Sequence, residues 1–210
     1  MCNLPSREIA VRKRELAIRL QAVRSHPNPK VALEQYSTPS ELAADILFRA
    51  CYVHDDIEGK TVIDLGTGTG RLVLGAALLG AEYAIGIDLD PTALETASQN
   101  AKRLKLKIDL ILGDIDVLRG ETETAVMNPP FGTKRVHADT RFLGVALRLA
   151  RIIYTIHKSS TRAYIFRWLS QHDAHPSILE STKMEIPHQF IFHKKRREYV
   201  DVDVYRIVRS

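Results

Sequence analysis

The chain has 210 residues, of which 45% are hydrophobic, and this length suits one substantial core better than two separate domains. Its net charge of +5 favours an acidic partner such as nucleic acid, and a basic surface that serves only solubility fits the charge equally well. The two cysteines, Cys2 and Cys51, have no spacing typical of a disulfide framework or a metal site. Charged residues near the N-terminus exclude a signal peptide and no apolar run reaches membrane-spanning length, so we expect a soluble, cytoplasmic protein that binds no metal and no membrane.

The first sixty residues are predicted to be mainly helical. An amphipathic pattern predicts a helix over Arg7–Val23, which ends at the breaker SHPNPK. A second helix is expected to begin at Thr38 and to reach about residue 54. Thr38 would be its N-cap, Pro39 its first helical residue and Glu41 the capping-box partner of Thr38.

From Lys60 onward, runs rich in Val, Ile and Leu alternate with helical patterns, which is typical of a parallel sheet with helices on both faces. The predicted strands and helices are, in order, KTVIDLG, RLVLGAALLG, EYAIGIDLD, PTALETASQNAKRLK, KIDLILGD and TAVMNPP. A long helix over Phe142–His157 and a further helix over Thr161–Ser170 are predicted to follow. The strand SILESTKMEIP and a closing hairpin of QFIFHKK and YVDVDVYRIVR complete the chain.

These elements predict an α/β fold, with a helical extension over residues 1–30 and one domain over residues 31–210. In the last predicted strand, Asp201 and Asp203 alternate with valines, so one face of that strand is expected to be solvated.

The segment DLGTGTG joins the first predicted strand to the next helix, where ligands bind in open parallel sheets. It begins with Asp64, and its glycines Gly66, Gly68 and Gly70 permit positive φ angles and a close approach of the backbone to a ligand. A dinucleotide fingerprint, GxGxxG, would need its third glycine at position 71, which is Arg71. The turn therefore predicts a ligand site of a different kind.

Acidic residues end the next two predicted strands. Asp88 ends the second strand and Asp114 the third, so both should face one crevice, where Asp88 can accept hydrogen bonds from both hydroxyls of a ribose. For Asp90 and Asp116 the simpler interpretation, as helix-cap or turn residues, is preferred.

The pattern acid-x-Gly-x-Gly-x-Gly, followed by an acid on the second strand, resembles the class I S-adenosylmethionine-dependent methyltransferases. The resemblance implies a Rossmann-like, seven-stranded, mostly parallel sheet with a C-terminal antiparallel hairpin. It also implies S-adenosylmethionine as the cofactor. The turn from Asp64 to Gly70 would approach its methionine part, Asp88 would hold its ribose, and Asp114 would meet its adenine amino group.

Asn128, Pro129, Pro130 and Phe131 end the fourth predicted strand, beside the expected place of the methyl donor. A purine amine is a poor nucleophile because its lone pair is delocalised into the ring. The side-chain oxygen of Asn128 and the carbonyl of Pro129 can each accept one amine hydrogen and so aim the lone pair, and the prolines hold that carbonyl fixed. Phe131 is expected to stack on the base, which is worth about 1 to 3 kcal/mol, the alternative being a simple proline turn with Phe131 in the core.

This four-residue motif resembles that of amino methyltransferases acting on adenine, guanine or glutamine amide nitrogen. The segments LEQYSTP, MNPPFGTK, IHKSSTR and FHKK, the last followed by VDVDV, resemble more closely the archaeal and eukaryotic small-subunit ribosomal RNA adenine-N6 methyltransferases, the methyltransferase-like protein five family. This match runs from about Leu33 to the C-terminus. It implies methylation of the N6 amine of an adenosine, contacts of Gln35 and Thr38 with the cofactor, and Tyr36 near the acceptor pocket.

The same resemblance suggests a small zinc-ribbon activator protein that pairs with an exposed sheet edge. Three alternatives stay open: a protein glutamine amide as the acceptor, guanine N2 as the acceptor, or a non-catalytic RNA-binding module.

Three basic groups are predicted to hold the RNA by its phosphates, with an affinity that falls steeply with salt. They comprise Lys134, Arg135, Lys158, Arg162, Lys194, Lys195, Arg196 and Arg197. For the run from Lys194 to Arg197, a solvated charged surface explains the sequence equally well. His157 and His193 lack companions at metal-ligand spacing, so solvation or capping is expected for both, and Ser159, Ser160 and Thr161 are expected to be helix N-caps.

Overall fold

The computed structural model describes residues 11–30, 35–131, 138–187 and 197–210. Its strands are β1 (Thr61–Leu65), β2 (Tyr83–Asp88), β3 (Asp109–Leu112), β4 (Thr122–Met127), β5 (Ala150–Lys158), β6 (Ala174–Pro187) and β7 (Arg197–Arg209). Its α-helices are α1 (Lys13–Gln21), α2 (Ser40–Tyr52), α3 (Arg71–Leu78), α4 (Pro91–Leu104), α5 (Ala138–Leu149) and α6 (Arg162–Ser170). None of the helices within these ranges is both long and apolar enough to cross a membrane.

The seven strands form one sheet in the order β3-β2-β1-β4-β5-β7-β6. β3, β2, β1, β4 and β5 pair in parallel, whereas β7 is antiparallel to both β5 and β6. This confirms the predicted α/β fold with a mostly parallel sheet and a C-terminal antiparallel hairpin. Because β2 and β4 flank β1, the order of the strands reverses at β1, and the crevice at the carboxyl ends of β1 and β4 is where such sheets bind ligands.

The predicted long helix over Phe142–His157 is wrong in its second half. α5 ends at Leu149 and β5 begins at the next residue, between β4 and β7. The segment Ile152–Ile156 is rich in β-branched residues, which favour a strand, and β5 is buried along most of its length. No glycine or proline marks the change from helix to strand, so the sequence carried no break signal.

The closing hairpin differs from the predicted one in its strand partners. β7 pairs with β6, from Ala174 to Pro187, which contains the predicted strand SILESTKMEIP. The segment QFIFHKK lies outside the described ranges. The helix expected over Arg7–Val23 is described as Lys13–Gln21, with Arg12 in an extended conformation at its N-cap, and residues 1–10 lie outside the described ranges.

The start of α2 also departs from the prediction. Pro39 occupies the N-cap position, no side chain caps the helix, and the hydroxyl of Thr38 serves another partner. The start of α4 is as expected, since the Asp90 side chain accepts a hydrogen bond from the Thr92 amide at 3.1 Å. Local capping patterns were therefore reliable where no tertiary partner competed for the oxygen.

α1 packs into the same hydrophobic cluster as α2 and α3. Leu16, Leu20 and Val23 are buried there. Gly75 of α3 allows this close packing, because a Cβ at that position would lie 2.3 Å from the Leu47 side chain. The N-terminal helix is thus a packed element of the fold, and the division of the chain at residue 30 stays a prediction.

Asp203 contradicts the expected solvated face of β7. Asp201 is exposed as predicted, whereas Asp203 is fully buried and forms two hydrogen bonds with the guanidinium of Arg162, at 2.7 and 2.8 Å. The Ser159 hydroxyl also donates to Asp203, at 2.8 Å, rather than capping α6, which has no side-chain cap. The segment after β5 therefore folds over this face and covers the carboxylate.

We expect Asp203→Asn to lower the free energy of unfolding by about 2 kcal/mol at pH 7, because it weakens charge-assisted hydrogen bonds. Hydrogen bonds from Arg162 lower the pKa of Asp203 to about 2, against about 3.9 in an unfolded chain. The stabilisation is therefore complete above about pH 4 and is lost as the pH falls toward about 2. Urea unfolding of the wild type, Asp203→Asn and the exposed control Asp201→Asn, between pH 7 and pH 2.5, measures this loss. Equal acid sensitivity of the wild type and Asp203→Asn would contradict it.

Candidate active site

The glycine turn between β1 and α3 forms one wall of the crevice. Gly66, Gly68 and Gly70 have positive φ angles of 71°, 57° and 90°, which other residues adopt only under strain. A Cβ on Gly68 would meet no atom within 4 Å. Its backbone therefore borders open space, as a close approach to a ligand requires.

Asp64 supports this turn from inside the core. Its Oδ2 accepts hydrogen bonds from the Thr67 hydroxyl at 2.7 Å and from the Val73 amide at 3.1 Å. Its Oδ1 is buried and has no hydrogen-bond partner in the described part of the chain. Burial raises the pKa of Asp64 to about 7. The contact of Asp64 with a cofactor stays a prediction, and its demonstrated contacts are with the turn and α3.

Asp88 fixes the turn from the end of β2. Its Oδ2 accepts the Gly68 amide at 2.8 Å and its Oδ1 accepts the Asp90 amide at 2.9 Å. Burial raises the pKa of Asp88 above its usual range. Since a carboxylate has about four lone-pair positions, Asp88 keeps acceptor capacity for a ribose hydroxyl beside its backbone hydrogen bonds. Asp88 can therefore hold the turn and a ribose together.

Asp114 lies at the far side of the crevice, after β3. It caps a short 3₁₀ helix through the Asp116 amide, and Arg141 of α5 forms ion pairs with both Asp114 and Asp116. The hydrogen bonds from the amide and from Arg141 both use Oδ1 of Asp114. Its Oδ2 remains for the predicted contact with an adenine amino group, and sequence reasoning missed Arg141 altogether.

The chain between α1 and α2 is tied to the crevice through Asp90, whose side chain is fully buried. It receives hydrogen bonds or ion pairs from His26 at 3.2 Å, Lys30 at 3.2 Å and Gln35 at 2.9 Å. Burial alone would raise the pKa of Asp90, but the hydrogen bonds from Gln35 and Lys30 lower it to about 2. Gln35, which is predicted to contact the cofactor, therefore binds Asp90 in this structure. Asp90 is more than the helix cap that the sequence indicated.

Two further side chains anchor this segment, and neither was singled out from the sequence as an anchor. Asn100 of α4 donates to the carbonyls of Arg24 and Thr69, at 3.1 and 3.0 Å. Arg71 donates to the carbonyls of Val23 and Thr38, at 3.1 and 2.6 Å. The segment is thus held against the glycine turn at both of its ends.

Asn128 follows β4 and faces the same crevice. Its Nδ2 donates to the hydroxyl of Thr38 at 3.1 Å. Its Oδ1 is buried and has no hydrogen-bond partner among the residues described. A buried oxygen without a partner is costly, so this acceptor is suited to a donor that arrives with a ligand.

Phe131 is buried, with its ring centroid 5.9 Å from that of Tyr36 and 5.7 Å from Nζ of Lys158. The ring belongs to the core cluster that contains α2, as in the alternative that the sequence left open. Stacking of Phe131 on a base therefore stays a prediction. The three side chains place an aromatic pair and a cation beside Asn128.

The predicted RNA-binding residues are only partly described. Lys134, Arg135, Lys194, Lys195 and Arg196 lie outside the described ranges, and nothing is described of the Arg197 side chain. Of the remaining three, Arg162 binds Asp203, whereas Lys158 and Tyr36 both lie beside Phe131 of the Asn-Pro-Pro-Phe turn. Their contacts with RNA stay predictions.

The sequence predicts that His157 is solvated or caps a helix, but its side chain is buried. Burial lowers its pKa to about 3, and its Nε2 lies 3.0 Å from the Thr155 hydroxyl. His193 lies outside the described ranges. Across the described ranges, no group of three or more His, Cys, Asp or Glu side chains could hold a metal ion.

Comparison with known proteins identifies the family. The family model for ribosomal protein L11 methyltransferase (PrmA) matches residues 46–128, which include β1, the glycine turn and β4. The rRNA N(6)-adenosine-methyltransferase Mettl5 of Drosophila melanogaster is 40% identical over 201 residues, covering 92% of this chain and 94% of the fly protein. The chain belongs to the Mettl5 family of rRNA N(6)-adenosine-methyltransferases. The family predicted from the sequence motifs is therefore confirmed.

Two archaeal proteins are about as similar to this chain as the fly protein is. An uncharacterized protein of Methanocaldococcus jannaschii is 39% identical, with 94% of both chains covered. The crystal structure of a proposed RNA methyltransferase from Pyrococcus horikoshii is 39% identical and superposes with a TM-score of 0.86, covering 95% of this chain and 96% of that one. These matches omit 5–6% of the chain, far less than the 32 residues before Leu33. Similarity to the Mettl5 family thus extends further toward the N-terminus than the motifs indicated.

The residues of the crevice fit S-adenosylmethionine, the cofactor of class I methyltransferases. The bare backbone at Gly68 leaves room for a ligand, and Asp88 keeps acceptor capacity for a ribose hydroxyl. The buried Oδ1 of Asn128, which follows β4, has no hydrogen-bond partner among the described residues. It is an acceptor that a bound cofactor or substrate can satisfy.

We expect Thr38→Val to lower kcat about ten- to a hundredfold, because it removes the hydroxyl that holds the Asn128 amide and misplaces its oxygen. Thr38→Ser keeps the hydroxyl and should stay within about threefold of the wild type. Affinity for S-adenosylmethionine, measured by calorimetry, should change little in either variant. If Thr38→Val instead weakens cofactor binding and leaves kcat unchanged, Thr38 acts as the direct cofactor contact predicted from the sequence.

Proposed function

We propose that this protein methylates the N6 amine of an adenosine in small-subunit ribosomal RNA, with S-adenosylmethionine as the methyl donor. The observation that carries the proposal is the buried, unpartnered Oδ1 of Asn128, beside a glycine turn braced by Asp88. Membership of the Mettl5 family supports the same reaction and substrate class.

The chain's own groups would act mainly by positioning. Oδ1 of Asn128 and the carbonyl of Pro129 would each accept one hydrogen of the adenine amine, which aims the nitrogen lone pair and stabilises the positive charge that builds on it. Thr38 would keep the Asn128 amide in this orientation. Bound S-adenosylmethionine supplies a methyl group already activated by the positive charge of its sulfur. Because both carbonyl groups are held in place before the substrate arrives, little reorganisation is needed.

The aromatic pair beside Asn128 would hold the base. Phe131 and Tyr36 lie in contact distance of each other, and Lys158 adds a cation at 5.7 Å from the Phe131 ring. An adenine that has left its helix can stack on such rings, which is typically worth about 1 to 3 kcal/mol. Phe131 is 7% exposed, so its ring would meet the base by an edge or after a side-chain rotation.

The match to the ribosomal protein L11 methyltransferase model does not favour a protein acceptor. The match ends at Asn128, so it covers the cofactor half of the site. It does not include the rest of the Asn-Pro-Pro-Phe turn or the residues that follow it. Two relatives that each match over 92% of this chain are named as rRNA N(6)-adenosine-methyltransferases. The N6 amine of an adenosine is therefore better supported as the acceptor than a glutamine amide or guanine N2.

Two finer features belong to the same proposal: a cytoplasmic location and a small zinc-ribbon activator protein bound at a sheet edge. β3 is one edge of the sheet, and Tyr83, Leu112 and Val117 expose 54–61% of their surface on or near it. An exposed apolar edge of this kind is suited to pairing with another chain. Full methyl transfer by the purified chain alone would contradict the need for an activator.

The test is methyl transfer from labelled S-adenosylmethionine to unmodified small-subunit ribosomal RNA, with the product nucleoside identified by mass spectrometry. We expect N6-methyladenosine with the wild type and a loss of about a hundredfold or more in kcat/KM with Asn128→Ala, since one preorganised acceptor is removed. Cofactor affinity should change little. Gln99→Ala, which removes an exposed amide on α4, is the matched control. Full activity of a folded Asn128→Ala protein, or a product other than N6-methyladenosine, would refute the proposal.

A further inference from the structure

We infer that residues 11–30 bind the phosphate backbone of the RNA whose base enters the active site, and this inference rests on the proposed function. These residues comprise α1 and the chain that follows it, and we call them the basic N-terminal segment. The inference rests on three observations: where the net charge of the chain is located, which side chains are exposed, and where the segment ends.

The basic N-terminal segment carries the entire net charge of the protein. It contains one acid, Glu15, and six basic residues: Arg12, Lys13, Arg14, Arg19, Arg24 and Lys30. Its net charge of +5 equals that of the whole chain, so the acids and bases of the remaining residues balance one another. Such a concentration of one sign produces a local positive potential, which attracts a polyanion.

The basic side chains of this segment face outward. The opposite side of α1, with Leu16, Ala17 and Leu20, is buried against α2 and α3. Arg12, Arg14 and Arg24 are exposed, and no described residue forms an ion pair with any of them. Three guanidinium groups are thus available, and guanidinium is well matched to phosphate in both geometry and charge.

The segment leads from the far end of α2 to the active site. Near its start, the Val11 amide donates to the hydroxyl of Tyr52, at the end of α2. At its other end, Arg71 holds the carbonyls of Val23 and Thr38 together, and Thr38 contacts Asn128. α1 alone spans about 14 Å along its axis, long enough to lie along more than one phosphate of an RNA strand.

Arg24 lies at the rim of the crevice. Asn100 binds both its amide and its carbonyl, at 3.0 and 3.1 Å, and binds the carbonyl of Thr69 in the glycine turn as well. These contacts use the backbone of Arg24 and leave its guanidinium exposed. A phosphate held by Arg24 would lie next to the flipped nucleotide, and Arg12 and Arg14 would hold phosphates further along the strand.

The experiment compares two variants of the full chain that each lose three positive charges. One is Arg12→Gln/Arg14→Gln/Arg24→Gln, and the control is Lys102→Gln/Arg103→Gln/Lys107→Gln, at the exposed end of α4 and the residues after it. We expect the first variant to raise the KM for ribosomal RNA about tenfold or more at low salt. The slope of log affinity against log salt concentration should become shallower by about 2 to 3, which corresponds to three lost phosphate contacts.

Neither variant should change the affinity for S-adenosylmethionine or kcat at saturating RNA, because the substituted side chains lie outside the crevice. Arg12→Lys/Arg14→Lys/Arg24→Lys keeps the charge and should keep most of the salt slope, which separates charge from a packing effect. Equal changes in KM and slope for the arginine-to-glutamine variant and the α4 control would overturn the inference. If the wild type methylates no RNA at all, the proposed function fails instead, and the two failures are thereby distinguished.

Discussion

The hydrogen bonds of Asp88 are the constraint on which the site depends. One oxygen holds the amide of Gly68 and the other holds the amide of Asp90, so the end of β2 fixes both the glycine turn and the start of α4. Hydrogen bonds to a charged group contribute about 1.5 to 3 kcal/mol each. The glycines of the turn have φ angles that few other residues adopt. Without these hydrogen bonds the turn would lose its position beside the crevice.

This constraint extends to the catalytic turn through the chain between α1 and α2. The amide of Asp90 is fixed by Asp88, and its carboxylate holds His26 and Gln35. The segment that follows Gln35 brings Thr38 to Asn128, with Arg71 binding the carbonyl of Thr38 from the other side. The cofactor side and the acceptor side of the crevice are therefore connected by hydrogen bonds at Gln35 and Thr38 and by the short stretch of chain between them. A shift at one side misplaces groups at the other.

Sequence reasoning was reliable for features that local patterns determine. The glycines of the turn, Asp88 at the end of β2 and Asn128 after β4 all lie at the crevice, because strand ends in a parallel sheet are set by short apolar runs and the turns after them. It failed where the partner is distant in sequence. No local sequence pattern indicates the Asp203–Arg162 pair, 41 residues apart, or the anchor at Asn100. The prediction of helix for β5 is wrong because no glycine or proline separates it from α5.

The distribution of charge explains why the RNA contacts should lie outside the crevice. Asp64, Asp88 and Asp114 all face its cofactor end, and of these only Asp114 has a described cationic partner, Arg141. A carboxylate such as that of Asp88 in a partly buried crevice repels phosphate groups, although it tolerates a neutral base. An adenine can thus enter while its backbone is kept outside. The basic N-terminal segment carries exposed positive charge outside the crevice, where the phosphates of an entering nucleotide would lie.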